Sequence, residues 1–224
     1  MDDIGRRIAE QGLRIGAIKL NPEDPFRWAS GYRMPIYNDN RMFLYDPDTR
    51  RLIARGLADL VEREGIAPEV VAGTATAGIP HGALLADLLS LPFIYIRDKP
   101  KAHGLKNRIE GLDAESDLGG RRVVVIEDLI STGGSSAKAV VAVREANGRS
   151  DWCLSIFSYG LEKAEAEFTS LAPPCRFASL LTFPVLLGVA KSGGFLGAAQ
   201  IALLEAWRKD PFGWGEAHGF PKDS

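Results

Sequence analysis

Residues 123–136 read VVVIEDLISTGGSS, a buried strand, a pair of acids and an anion cradle in one run. The apolar residues before Glu127 have the composition of a strand covered on both faces. Glu127 and Asp128 stand on its lip, followed by Ser131, Thr132, Gly133, Gly134 and Ser135 just before a helical pattern. Glycines let backbone N–H groups converge, hydroxyls donate, and the helix start adds partial positive charge, which suits a phosphate without any cationic side chain. Two carboxylates repel bare phosphate, so the ligand should also carry groups that want acceptors, such as sugar hydroxyls or a metal. No Lys-Ser/Thr pair follows the glycines and no G-x-G-x-x-G is present, so neither common nucleotide loop applies. Read alone, the same residues also suit a Gly-Ser turn capping a helix, with the acids capping the loop's own amides.

Outward from this run the chain alternates. VVAG (70–73) precedes a helix-like stretch at 79–90, and FIYIR (93–97) precedes a long loop. CLSIF (153–157) precedes LEKAEAEFTSL, and RFASLLTF (176–183) closes the series. With RVVVIE (122–127) this makes about five short apolar strands separated by helices or crossovers, the pattern of a parallel sheet buried on both faces. Ligands on such sheets bind beyond the carboxyl ends of the strands. GTATAG (73–78), the loop from Asp98 to Gly119, and EDLISTGGS (127–135) all fall there. Asp46-Pro47 predicts a helix start, with Gly65 as its stop. Upstream, residues 3–15 predict a short amphipathic helix and residues 17–45 a small irregular appendage. Residues 195–209 predict a last helix, followed by a polar tail.

Composition narrows the classes. Lys plus Arg total 27 against 29 Asp plus Glu, a formal charge of −2, which argues against a general nucleic-acid binder. The opening MDDIGRRIAEQG lacks the apolar core of a secretory signal, and the apolar run at 180–190 is too short to span a bilayer. Cys153 and Cys175 have no metal-like spacing and fit buried thiols in a reducing cytoplasm. A cytoplasmic protein with no membrane or nucleic-acid partner is the expectation.

A hydrophobic strand, two acids, two apolar residues and Ser/Thr-x-Gly-x-Ser/Thr resembles the phosphoribosyl pyrophosphate signature of type I phosphoribosyltransferases. YIRDKPKAHGLKNRIEG (95–111) is similar to the mobile catalytic loop of the orotate phosphoribosyltransferases, with Arg97, Lys101, His103 and Gly104 at matching places. GAIKL and ASGYRMPIY resemble that family's hood, with Lys19 and Tyr37 near the pyrimidine. The similarity covers most of residues 12–185. It implies a doubly wound α/β core with helices on both faces, a small hood, a homodimer with shared active sites, and Mg2+ as cofactor. The divisions expected are 1–45 for the first helix and hood, 46–190 for the core, and 191–224 for the last helix and tail.

The resemblance also implies roles. Asp128 and Glu127 would hold ribose hydroxyls and stabilise positive charge at the anomeric carbon, residues 131–135 would hold the 5′-phosphate, and Leu129 and Ile130 complete the substrate-binding run. Arg97, Lys99, Lys101 and His103 would neutralise departing pyrophosphate, with Asp128, Lys101 and His103 as the catalytic set. Magnesium would be held mainly by substrate oxygens and water. The loop's own charges agree: residues 98–108 carry Lys99, Lys101, Lys106 and Arg108 against Asp98, whereas residues 109–117 carry four acids and no base. A basic half on a glycine-bearing surface loop suits a lid closing over an anion.

Three departures stand out. Asp98 follows the arginine where a second base is common, Ala77 stands where many members have a lysine, and Gly160 where many have an arginine for the orotate carboxylate. The last bears on which base is used. Lys19 is the best single candidate to supply that charge. The competing readings are the same chemistry on a purine or uracil, and a non-catalytic sensor of phosphoribosyl pyrophosphate, although a sensor of that kind needs a DNA-binding element that this acidic chain does not offer.

Overall fold

The computed structural model describes residues 2–28, 30–98, 108–113 and 116–223. Helix α1 (Asp2–Ile15) opens the chain and buries Ile8 and Ala9 completely. Four short strands follow: β1 (Ile18–Leu20), β2 (Phe26–Arg27), β3 (Arg33–Met34) and β4 (Ile36–Asn38). They pair antiparallel, β1 with β4 and β2 with β3, and form the appendage expected at 17–45. A 3-10 turn (Asn40–Leu44) leads to α2 (Pro47–Arg63). There the Asp46 carboxylate accepts from the Thr49 N–H at 2.9 Å, and Pro47 occupies the first turn, where its missing donor costs nothing.

The alternating part is β5 (Val70–Thr74), α3 (Gly78–Leu89), β6 (Phe93–Ile96), β7 (Ile109–Glu110), β8 (Arg122–Ile130), α4 (Gly134–Glu145), β9 (Arg149–Ser158), α5 (Glu162–Thr169) and β10 (Arg176–Thr182). The chain closes with α6 (Phe183–Ser192), α7 (Ala198–Lys209) and α8 (Trp214–Ala217). The central sheet has the order β10-β9-β8-β5-β6-β7. Its first five strands are parallel, as the alternation predicts, and β7 adds an antiparallel edge.

Strand alternation divides the interior in two. Val71, Val124, Ile126, Leu154 and Ile156 join one buried cluster, which holds α1, α2, α3, α6 and α7 residues. Val70, Ala72, Val123, Val125 and Cys153 face the other way, onto α4 and α5 through Val140, Val143 and Phe168. A period of two along each strand therefore produces a sheet covered on both faces. No described helix is long and apolar enough to cross a membrane.

Three elements exceed the sequence expectation. Helix α6 starts directly from β10 inside the apolar run at 180–190, where no turn residue marks the change and only Pro184 signals a helix start. The two-residue β7 lies inside what reads as loop. The segment after α7 is not a free tail: Trp214 is buried, and Asp223 pairs with Arg27 at 2.7 Å and Arg33 at 3.2 Å. The ends of the chain thus share one cluster with the core, and Trp28 stacks on Tyr159 while Trp207 meets the edge of the same ring.

Candidate active site

Between β5 and β8 the strand order reverses, with β6 on one side and β9 on the other. Pairing of β5 with β8 ends at Gly73 and Ile126, but β8 continues along β9 through Glu127↔Ser155, Leu129↔Phe157 and Ile130↔Ser158. Residues 127–130 therefore have one edge free of strand pairing, and a crevice opens where β5 turns away. The strand runs three residues further than its apolar run predicts, which places Glu127 and Asp128 within it rather than at its lip. Backbone alternation then sends the two carboxylates in different directions.

Glu127 turns inward and is nearly buried. Its Oε1 lies 2.7 Å from the Thr74 hydroxyl and accepts from the Asp128 N–H at 3.0 Å, and its Oε2 accepts from the Ser136 hydroxyl at 3.1 Å. Burial first, and the neighbouring Asp128 charge second, push its pKa up to about 8, against the pull of the Thr74 hydroxyl bond. The Thr74 hydroxyl, which donates to Glu127, also lies 3.2 Å from the Ile126 carbonyl. With each oxygen engaged by the protein, Glu127 is a brace between two strand ends and α4. Asp128 is only half-buried, and its contacts run through the backbone: its carbonyl accepts from Asn40 Nδ2 at 2.7 Å. Its carboxylate is the acid the crevice presents.

Beyond it, Gly133 ends the loop at φ 82°, a left-handed conformation natural to glycine, and a Cβ there would lie 3.0 Å from the Ala164 Cα. No side chain caps α4, whose first turn carries no acid, so its leading N–H groups are open to an anion. Gly134 has open space where a Cβ would stand, which keeps backbone accessible. Ser131, Thr132 and Ser135 stay partly or fully exposed around it. Across the crevice, GTATAG turns sharply into α3 with a cis peptide between Ala75 and Thr76. Gly78 packs so closely that a Cβ would come within 2.4 Å of the Ile126 carbonyl and the Thr74 hydroxyl.

The small two-strand ribbon leans over this edge. Lys19 pairs across β1–β4 with Tyr37, and both are exposed on one face. Asp39 accepts from Arg41 at 2.6 Å, which holds its carboxyl below the usual range; Lys19 is near enough to add to that pull. Arg41 in turn feels Asp39 first and Asp128 last, so these charges gather at one mouth. At the far side Arg97 follows β6, with its guanidinium 3.2 Å from Glu110 on β7. Arg97 N–H donates to the Arg108 carbonyl at 2.8 Å, and Arg108 Nε returns a bond to the Arg97 carbonyl at 3.1 Å. Residues 97 and 108, on either side of the basic stretch, are therefore clamped together. Lys99, Lys101, His103, Gly104 and Lys106 lie outside the described residues.

Gly160 follows β9 at φ +64°. A Cβ there would lie 3.1 Å from Arg208 Nη2, so a longer side chain at 160 competes for space with an arginine delivered by α7.

A family model described as the phosphoribosyl transferase domain matches residues 43–156, from the turn before α2 to the middle of β9. Orotate phosphoribosyltransferase of Lactiplantibacillus plantarum is 45% identical over 215 residues, covering 96% of this chain and 99% of the relative. The Cutibacterium acnes protein of the same name is 46% identical over 218 residues, covering 97% and 98%. The chain belongs to the orotate phosphoribosyltransferase family. Among solved structures, the Aeropyrum pernix orotate phosphoribosyltransferase superposes with a TM-score of 0.69 at 27% identity, covering 85% of this chain and 99% of that one. The mostly parallel sheet with flanking helices is the fold of these phosphoribosyltransferase neighbours.

Within this orotate phosphoribosyltransferase fold, the acid–loop–helix run and the hood meet at one edge, as their sequence suggests. Asn40, Thr74 and Ser136 were not legible as site residues. Asn40 ties the hood turn to the Asp128 backbone, and the two hydroxyls hold Glu127. Thr74 lies within GTATAG and Ser136 ends the loop motif, but their shared partner is set by strand pairing, not by spacing.

Proposed function

We propose that the chain transfers the phosphoribosyl group of phosphoribosyl pyrophosphate to orotate, giving orotidine 5′-monophosphate and pyrophosphate in pyrimidine biosynthesis. The observation that carries this reading is the half-buried Asp128 carboxylate beside the uncapped first turn of α4. That pair suits a ribose 5-phosphate: the turn receives the phosphate, and the carboxylate accepts from ribose hydroxyls. As the bond from the anomeric carbon to pyrophosphate breaks, positive charge develops on the ribose, and Asp128 stabilises it electrostatically. Glu127, braced by Thr74 and Ser136, fixes the strand end that aims Asp128. Arg97, with Lys99, Lys101 and His103, receives the negative charge of the leaving group.

Asp128 is a hard oxygen donor of the type Mg2+ accepts when substrate oxygens and water complete its shell, so the site fits that ion. Bound magnesium would neutralise pyrophosphate charge. Lys19, exposed beside Tyr37 at the cleft mouth, supplies the cation for the orotate carboxylate, which would otherwise cost several kcal/mol to bury unpaired. Lys19→Ala is expected to raise the orotate KM about tenfold or more while moving that of phosphoribosyl pyrophosphate little. Equal effects on both would assign Lys19 to the pyrophosphate instead.

The protein acts as a homodimer in which the basic loop of one chain closes the site of its partner. Mixing Lys101→Ala with Asp128→Asn subunits would then restore activity, because one site of each hybrid receives both intact residues. Subunit exchange without recovery would mean that each loop serves its own chain. A cytoplasmic location is in keeping with two buried free thiols, Cys153 and Cys175.

A further inference from the structure

Three neighbouring parallel strands each begin with an arginine: Arg122 opens β8, Arg149 opens β9 and Arg176 opens β10. Asp128 stands further along β8, about 20 Å from Arg122 at the rise of a strand, so this edge of the sheet lies opposite the catalytic crevice. The arginines line a hollow of about 200 Å3 together with Asp151, Trp152 and residues 65–68 of the turn after α2. An irregularity in the strand ladder builds it. Arg122 pairs with Arg149 but Val124 pairs with Trp152, so β9 carries an extra residue over this step. Such a bulge breaks the alternation of faces, and Arg149, Asp151 and Trp152 all reach the same hollow.

The charges there are not balanced from within. Arg122 and Arg149 are register partners, and like charges directly opposite destabilise a sheet. Arg122 is answered: it stands 3.5 Å from Glu69, and its Nε donates to the Ala67 carbonyl at 2.6 Å. Among the described residues nothing pairs with the Arg149 guanidinium, and no carboxylate pairs with Arg176. Arg176 lies over the Trp152 ring, 4.2 Å from its centre, and that ring is anchored in the core. Stacking holds the guanidinium in one plane and leaves the N–H groups at its edge for an acceptor. Asp151, the one acid in the lining, pairs with neither arginine among the described contacts. The lining thus sets three positive charges against one negative in a chain whose total is −2. Convergent forks of this kind suit an oxyanion with several acceptor oxygens. Volume sets its size. Small-molecule sites span roughly 300–1,000 Å3, so the smaller hollow suits a phosphate group rather than a nucleotide.

We infer that this hollow binds a compact phosphate dianion, free or as the head of a small monoester, between Arg149 and Arg176. The test is calorimetric titration of the full chain at constant ionic strength, with saturating orotidine 5′-monophosphate in the catalytic crevice. The probes are inorganic phosphate, glycerol 2-phosphate and a peptide of glutamates. Inorganic phosphate binds saturably, and the Arg149→Gln, Arg176→Gln double variant weakens that binding about tenfold or more, as loss of charged hydrogen bonds does, with kcat unchanged. Phosphate taken up near Asp128 is common to both proteins and cancels in the comparison. Tighter binding of glycerol 2-phosphate with the same dependence on the arginines identifies a monoester as the ligand, and the reverse order identifies the free ion. If the double variant does not fold, Arg149→Gln alone serves, since that side chain is exposed; its binding is weaker by severalfold. Absence of saturable phosphate binding, equal binding by a folded variant, or tighter binding of the glutamate peptide than of either phosphate would overturn the assignment.

Discussion

Asp128→Asn lowers turnover about 10²–10³-fold, the usual consequence of removing a preorganised charge aimed at a developing opposite charge. The fold survives, because the contacts that anchor residue 128 are its backbone carbonyl to Asn40 and its N–H to Glu127, and asparagine keeps both. A second readout accompanies the loss. The Asp128 charge is the second cause that raises Glu127, after burial, so the Glu127 pKa falls from about 8 in the variant. Carboxyl-resolved NMR titration measures this directly. Full turnover in a folded variant would take Asp128 out of the reaction, and an unmoved Glu127 would mean the two carboxylates do not share one field.

Trp207→Ala costs about 3–5 kcal/mol, the range for emptying a large buried aromatic site. Trp207 is fully buried, meets the Tyr159 ring edge-on and tilts against Phe183, and its indole N–H lies 3.0 Å from the Met34 sulfur. It thereby joins α7, the start of α6 and the hood strand β3 to the residue after β9. For a chain of this size the loss lowers Tm by about 10 °C. Calorimetric unfolding checks it, and a shift under about 2 °C would show that α7 is an accessory rather than part of the core.

What was legible in the sequence is what local chemistry determines. The run at 123–127 announces a strand covered on both faces, Asp46-Pro47 announces α2, and the glycines and hydroxyls at 131–135 announce an uncapped helix start. Each depends on neighbours within a few residues. What was not legible depends on partners far along the chain. Leu129 and Ile130 belong to a strand because Phe157 and Ser158 pair with them. Glu127 turns inward because Thr74 waits 53 positions away. Asp223 looks like part of a polar tail until Arg33, 190 residues earlier, donates to its carboxylate. Helix α6 is hidden for a different reason: apolar strand runs into apolar helix with no polar break to mark the joint. Gly160 shows a mixed case. Its glycine is visible in sequence as a missing side chain, but only the packing of α7 reveals that Arg208 borders the space.

The most direct measurement is a base panel. Orotate, uracil, adenine and hypoxanthine are each incubated with the protein, phosphoribosyl pyrophosphate and Mg2+, and nucleotide and pyrophosphate are quantified together. The account predicts stoichiometric orotidine 5′-monophosphate and pyrophosphate from orotate, with uracil and the purines at least about a hundredfold less efficient, since a site that relies on a charged hydrogen bond rejects ligands lacking it. Comparable turnover of uracil or of a purine would contradict the orotate assignment.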